Sequence, residues 1–285
     1  MPLHSQIVGQ TIPPIQHDVD ARWLMAYAAA LGDHNHRYMD TAAQSVIAHP
    51  IFPVCVEWPV ILQMRAIAGM HHLTAEEAAR GVHAAHDLHL LAPITAGDQL
   101  TTAAQMTAVE ATRSGARYVM RLDTHNQHNT LVAQTWQTGI YRGVDVIGQT
   151  DSVSEKAPSQ PEHQNSHWQH ENSIQVAAGL AHTYTECARI WNPIHTDRAV
   201  ALKAGLPDII LHGTATLALA VSNLVTNVLG GETSRVARVG GRFAAVVLMP
   251  STIQLNYTQV DRCVHFEVLN EAGESAIRNG FLEIH

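Results

Sequence analysis

Two stretches far apart in this chain follow the same plan, and that repeat constrains the fold more than any single motif does. Gly32-Asp33-His34-Asn35-His36-Arg37-Tyr38-Met39-Asp40 lays over Arg189-Ile190-Trp191-Asn192-Pro193-Ile194-His195-Thr196-Asp197, with the Asn and the final Asp in register. A helical pattern precedes each stretch, and an apolar run long enough for a buried helix follows it. Short alternating segments separated by turn residues come next, the texture of an antiparallel sheet. A duplicated unit, each copy a long helix wrapped by its own antiparallel sheet, is the simplest account, and it sets the fold class as α+β.

Taken in order, Asp20 to Leu31 reads as a helix capped by Asp18 or Asp20 and stopped by Gly32. After His49-Pro50-Ile51-Phe52-Pro53, the run from Val54 to Met70 predicts a buried helix. Strands are expected over 87–91, 100–109, 116–123 and 131–141. Between Gly148 and His167 the composition turns to Ser, Gln, Pro, Glu and Lys, as in a flexible linker, which divides the chain into modules at 1–147 and 168–285. The second copy predicts helices over 177–189, 198–204 and 214–229. Its expected strands are 235–239, 242–248, 252–258, 263–269 and 276–284.

Composition narrows the function. Seventeen basic residues against 25 acidic ones give a net charge of -8, with no basic stripe for nucleic acid and no polybasic membrane anchor. No apolar run approaches the length of a membrane span, and the N-terminus lacks the regions of a signal peptide, so a cytoplasmic protein is expected. Three cysteines, Cys55, Cys187 and Cys263, build no disulfide framework and include no CxxC pair. His34-x-His36, His71-His72 and His83-x-x-His86-x-x-His89 are the closest histidine spacings. None matches a zinc motif, so neither a metal nor another cofactor is expected.

The chemistry concentrates in Trp191 to Asp197 and Ile210 to Thr214. An imidazole in a loop supplies a proton-transfer group, and a glycine at the start of a helix offers backbone N–H donors to a developing oxyanion. Asn192-Pro193-Ile194-His195-x-Asp197, then Ala204-Gly205-Leu206-Pro207 and Leu211-His212-Gly213, resemble the signature of the MaoC-like hydratases and dehydratases. The first half, with Tyr27-Ala-Ala-Ala-Leu-Gly-Asp33-x-Asn35 and His49-Pro50-x-Phe52-Pro53-Val54, is similar to the degenerate N-terminal module of two-module members. The resemblance implies a double hot-dog fold and reversible addition of water across the 2,3-double bond of an acyl-CoA or acyl-carrier thioester. It makes His195 the family histidine, Asn192 the asparagine and Gly213 the oxyanion glycine.

One departure is serious. The family pattern Asp-x-Asn-Pro-x-His has its Asp where this chain has Ile190, and an isoleucine can neither hold water nor move a proton. The first half keeps that Asp as Asp33 but has Tyr38 at the histidine position, so a site shared between the halves by Asp33 and His195 is one expectation. Glu186, Glu57, Asp208, or His195 with water alone are the others. Arg189 and Trp191, beside the lost Asp, together with Tyr38 and His212, are expected to shape the substrate pocket. Arg189 would suit a branched or dicarboxylic acyl group of the mesaconyl or methylfumaryl type.

Plainer readings stand beside these. Gly213 serves equally as a tight helix entry, and Asp33 and Asn35 as turn caps. A hot-dog thioesterase or a non-catalytic acyl-thioester-binding protein, the latter motivated by Ile190, remain alternatives, and homodimerisation stays open.

Overall fold

The computed structural model describes residues 2–70, 73–148, 151–153, 157–162 and 167–285. The first half begins with a short β1 (Leu3–His4) and continues through β2 (Thr11–Asp18), α1 (Ala21–Ala30), α2 (His36–Met39), α3 (Pro53–Gln63) and α4 (Ala75–Ala79). Strands β3 (Gly81–Leu90), β4 (Gln99–Thr112), β5 (Gly115–His125) and β6 (Leu131–Arg142) follow, then the two-residue β7 (Val146–Ile147) and β8 (Asp151–Ser152). The second half runs β9 (His170–Val176), α5 (Leu180–Ala188), α6 (Arg198–Lys203), α7 (Gly213–Leu229), β10 (Val236–Phe243), β11 (Ser251–Val260), β12 (Cys263–Leu269) and β13 (Ser275–Ile284).

Local chemistry sets the helix ends. The Asp20 carboxylate accepts from the Trp23 amide at 2.7 Å to cap α1, and Asp197 caps α6 through the Ala199 amide at 2.9 Å. Gly230, with φ 62°, closes α7 in the left-handed conformation. The first long helix is shorter than the apolar run suggested. It ends at Gln63 and passes through a 3₁₀ turn at Met64–Ala66 to Gly69, whose φ of 97° turns the chain away.

Sheet order is the clearest record of the duplication. The first half reads β2-β4-β5-β6-β3 and the second, outward to inward, β9-β11-β12-β13-β10. β3 pairs antiparallel with β10, from Arg238 opposite His89 to Arg242 opposite Ala85, and so joins the halves into one sheet of eleven strands, with β8 on the side of β4. On the outer face of that seam Arg238 donates two parallel hydrogen bonds to Asp87, at 2.8 and 2.7 Å. One apolar core, containing Leu24, Phe52, Val56, Leu217, Leu224 and Phe266, runs through both halves. Each such side chain buried is worth about 1.5–3 kcal/mol. On the axis between the halves the equivalent residues Tyr27 and Tyr184 meet, hydroxyl to hydroxyl, at 3.3 Å.

Three departures from the sequence reading have physical causes. β2 and β9, the two sheet edges, were not predicted; β2 contains Pro13-Pro14, tolerated because an edge strand need not donate on both sides. The break expected between 239 and 242 is absent, since Gly240 and Gly241 continue β10. A Cβ at Gly240 would stand 2.5 Å from the Phe281 ring, so glycine there makes room for a cross-strand aromatic rather than a turn. The expected linker also carries ordered contacts. Val153 donates to the Thr107 carbonyl at 2.9 Å, and the Ser159 carbonyl accepts from Arg238 at 3.1 Å; its residues 149, 150, 154–156 and 163–166, like His71 and His72, lie outside the described residues.

Candidate active site

The His195 loop is built by its own backbone. Asn192 caps a 3₁₀ turn at Pro193–His195 by accepting from the Ile194 amide at 3.4 Å, and its carbonyl accepts from the His195 amide at 3.1 Å. The turn delivers His195 to a nearly closed position, 8 % exposed. There Nδ1 lies 2.8 Å from the Ile210 carbonyl oxygen. A carbonyl only accepts, so Nδ1 carries the hydrogen and Nε2 is left with its lone pair. Burial pushes the pKa down to about 4, so the ring is neutral, and basic at Nε2, at physiological pH.

His212 forms the platform behind it. The two rings stack with centroids 3.7 Å apart, and His212 Nε2 is 3.1 Å from the Thr185 hydroxyl. Burial first, and then the adjacent His195, depress the His212 pKa, against a raising contribution from the Ile190 backbone. His212 is thus packed against its neighbour and held from behind by Thr185. Gly213 opens α7, where the first amides have no partner within the helix and the dipole favours negative charge. A Cβ at Gly213 would stand 3.0 Å from the Phe243 ring, so glycine lets that ring close over the helix entrance. Tyr184 donates to the Thr214 hydroxyl at 3.2 Å one residue further on.

The structure does not bring Asp33 to His195. Asp33 accepts from the Asn35 amide at 3.1 Å, and its other oxygen faces His49 Nε2 at 4.0 Å. His49 bonds Ser222 at 3.0 Å, nine residues and roughly 13 Å along α7 from Gly213. Asn35 Nδ2 donates to the Gly231 carbonyl at 2.8 Å, beyond the opposite end of α7. The two loops therefore sit at different ends of one helix, and the shared Asp33–His195 site is corrected to two separate loops. Tyr38, at the His195 position of the first loop, is fully buried and donates to the Thr233 hydroxyl at 2.8 Å, leaving nothing to meet a ligand. A cavity of about 90 Å³ lies beside this first loop, lined by His49, Pro50, Leu91, Thr233 and His285; it is small for a thioester site.

None of the stand-in carboxylates reaches His195 either. Glu57 is buried in α3, with Thr135 donating to it, and burial raises its pKa to about 7. Asp208 pairs with Arg198 on the surface at 3.4 Å, and Glu186 is exposed. Ile190 is 5 % exposed within the apolar core. Among the described residues no carboxylate pairs with His195, and no group of three or more His, Cys, Asp or Glu side chains could hold a metal ion. Arg189, left-handed at φ 58°, lays its guanidinium carbon 3.7 Å from the centre of the Trp23 ring, so its charge rests on an aromatic face of α1. Trp191 is 58 % exposed. Sequence reasoning missed Tyr27, Tyr184, Thr185, His83 and Phe243. The two tyrosines left a signal as equivalent positions of the repeat, and His83 left one in the His83-x-x-His86-x-x-His89 spacing.

A duplicated helix-in-sheet unit with one buried base and one helix entrance defines a double hot-dog protein. Residues 160–279 match the MaoC like domain, and residues 6–135 match the FAS1-like, dehydratase domain region. The second half thus carries a MaoC-like dehydratase domain, and the first half a FAS1-like dehydratase region. Among solved structures, the MaoC-like dehydratase from Phytophthora capsici superposes with a TM-score of 0.85 over 98 % of this chain and 96 % of that one, at 18 % identity. The 3-hydroxyacyl-thioester dehydratase Y of Mycobacterium tuberculosis is 22 % identical over 89 % of this chain and 86 % of its own length. Mouse peroxisomal multifunctional enzyme type 2 is 28 % identical over 33 % of this chain, and the match spans 13 % of that protein. No helix among the described residues is long and apolar enough to cross a membrane.

Proposed function

We propose that the chain is a hydro-lyase that adds water reversibly across the 2,3-double bond of an enoyl thioester, with His195 as its one proton-transfer group. The observation that carries this is the His195 tautomer: Nδ1–H is held by the Ile210 carbonyl, and Nε2 is free to take a proton beside the entrance of α7. Without a neighbouring carboxylate, one base serves two positions. As the water oxygen bonds to carbon 3, Nε2 accepts the water proton and electron density moves to the thioester oxygen, where the Gly213 amide donates to it. The imidazolium, steadied by its bond to Ile210, then returns that proton to carbon 2 as the carbonyl re-forms. Oxygen and hydrogen add to the same face, and the base is regenerated.

The finer question is the acyl group. The dicarboxylic preference expected from Arg189 gains no support from a guanidinium stacked on Trp23, so a mesaconyl-type thioester is the comparison substrate here rather than the first choice. An assay on a panel of 2-enoyl-CoAs tests the reaction. Loss of enoyl absorbance without thiol release is expected. Thiol release would make the protein a thioesterase, and binding without either change would make it an acyl-thioester-binding protein.

A further inference from the structure

The inner sheet face of the first half holds a polar group of side chains that the hydration chemistry does not use. His86 of β3 and Gln137 of β6 lie opposite each other across the ladder, 1 % and 5 % exposed. Among the described residues neither ring nitrogen of His86 nor Oε1 of Gln137 has a hydrogen-bond partner. A buried polar atom left unpaired keeps the full penalty of leaving water, so packing does not account for three of them at one place.

Strand geometry fixes which way they point. Leu88, two residues after His86, is in the core, whereas Asp87 between them reaches Arg238 on the other face. A register shift between His83 and Ala85 returns His83 to the His86 side, and the two rings stand 5.3 Å apart. The His83 ring is in turn 4.8 Å from Phe243, the residue that closes over Gly213. A line of contacts therefore leads from the α7 entrance, where the thioester carbonyl would sit, to the His86–Gln137 pair.

We propose that His86 and Gln137 form a subsite for a hydroxyl group carried on the acyl chain at a distance from the thioester. A hydroxyl accepts from the imidazole N–H and donates to the amide oxygen, satisfying two of the three atoms in one contact. An alkyl chain leaves them unpaired. A carboxylate would face the Gln137 oxygen and the acidic Glu57 of α3, bonded to Thr135 nearby, while Arg238 lies on the opposite face of the sheet and the Arg65 charge acts further along, on Tyr118 and Tyr141. Burial keeps His86 neutral, which suits an uncharged partner.

The subsite rests on the hydratase reading for the position of the thioester, so two readouts keep the two separable. In the first, 2-enoyl-CoAs of increasing length ending in a hydroxyl are compared with equally long chains ending in methyl. For one chain length the hydroxylated substrate should show about 10²-fold higher kcat/KM, and His86→Leu or Gln137→Leu should bring that ratio to near one or below. In the second, the saturated hydroxyacyl-CoA and acyl-CoA are compared by thermal shift, which needs no turnover. Absence of hydration on every substrate would remove the hydratase reading while the binding ratio still judged this one. Should either variant fail to fold, the parent ratios decide. Equal or weaker use and binding of the hydroxylated chains at all lengths, or a preference confined to dicarboxylic chains, would overturn the proposal.

Discussion

The two loops descended from one plan differ most in which histidine nitrogen the backbone occupies. In the second half the Ile210 carbonyl takes the proton of His195 Nδ1, and Nε2 keeps its lone pair. In the first half the Ile51 amide donates to His49 Nδ1 at 3.1 Å, so Nε2 carries the hydrogen and gives it to Ser222. Tyr38, standing where His195 stands, spends its hydroxyl on Thr233. The second loop thus leaves a base unsatisfied beside a helix entrance, while the first spends His49, Asn35 and Tyr38 on α7 and the turn that follows it.

The largest expected contrast is in activity. His195→Ala should lower hydration roughly 10²- to 10⁴-fold, with a stability loss near that of one hydrogen bond, about 1 kcal/mol. A folded, fully active His195→Ala protein would end the assignment of roles to the two loops. Acid should then affect both halves together. Burial lowers the pKa of His195 and His86 to about 4, of His83 and His49 to about 3, and of His212 to about 2. Such groups take up protons more readily unfolded, so their contribution is fully present above about pH 6.5. It falls as pH drops below that value and is gone beneath the folded pKa values. Urea unfolding at pH 7.5 and at pH 5 should differ by several kcal/mol, on the order set by these shifts. Equal midpoints would mean that these rings are not held neutral.

A smaller effect separates the loops from the other side. His49→Leu leaves the Ile51 amide and Ser222 unpaired and should cost about 1–3 kcal/mol in stability with kcat unchanged. A fall in kcat with unaltered stability would give the first loop a chemical role. The smallest change is expected for Asp33→Asn, which keeps the shape that accepts from Asn35 at a place remote from His195; activity within about twofold of the parent is expected, a difference within the scatter of surface substitutions. A loss comparable to that of His195→Ala would restore a shared site.

Much of the fold was legible because periodicity and capping act locally: the helix capped by Asp20, the glycine stop after α7 and the order of sheet segments all follow from neighbours in sequence. The edge strands escaped because Pro13-Pro14 masks one and the other borders the linker composition. The loop carrying His195 was legible from its motif. Its partners were not, since Ile210, His212, Thr185 and Phe243 converge only through tertiary packing, and the lining up of Asp33 with Ile190 in the repeat suggested a proximity that the ends of α7 forbid.

The tyrosine pair between the halves has one more property. In a dimer of identical subunits, two hydroxyls meeting on the symmetry axis would share donation equally. Here Tyr184 already gives its proton to Thr214, so Tyr27 must give its own to Tyr184, and the chain of three hydroxyls acquires a direction. It points from the first half toward the residue following Gly213. Once two copies were fused in one polypeptide, a single threonine at a helix entrance was enough to polarise the axis itself, and that bias is open to neither copy while the two remain interchangeable.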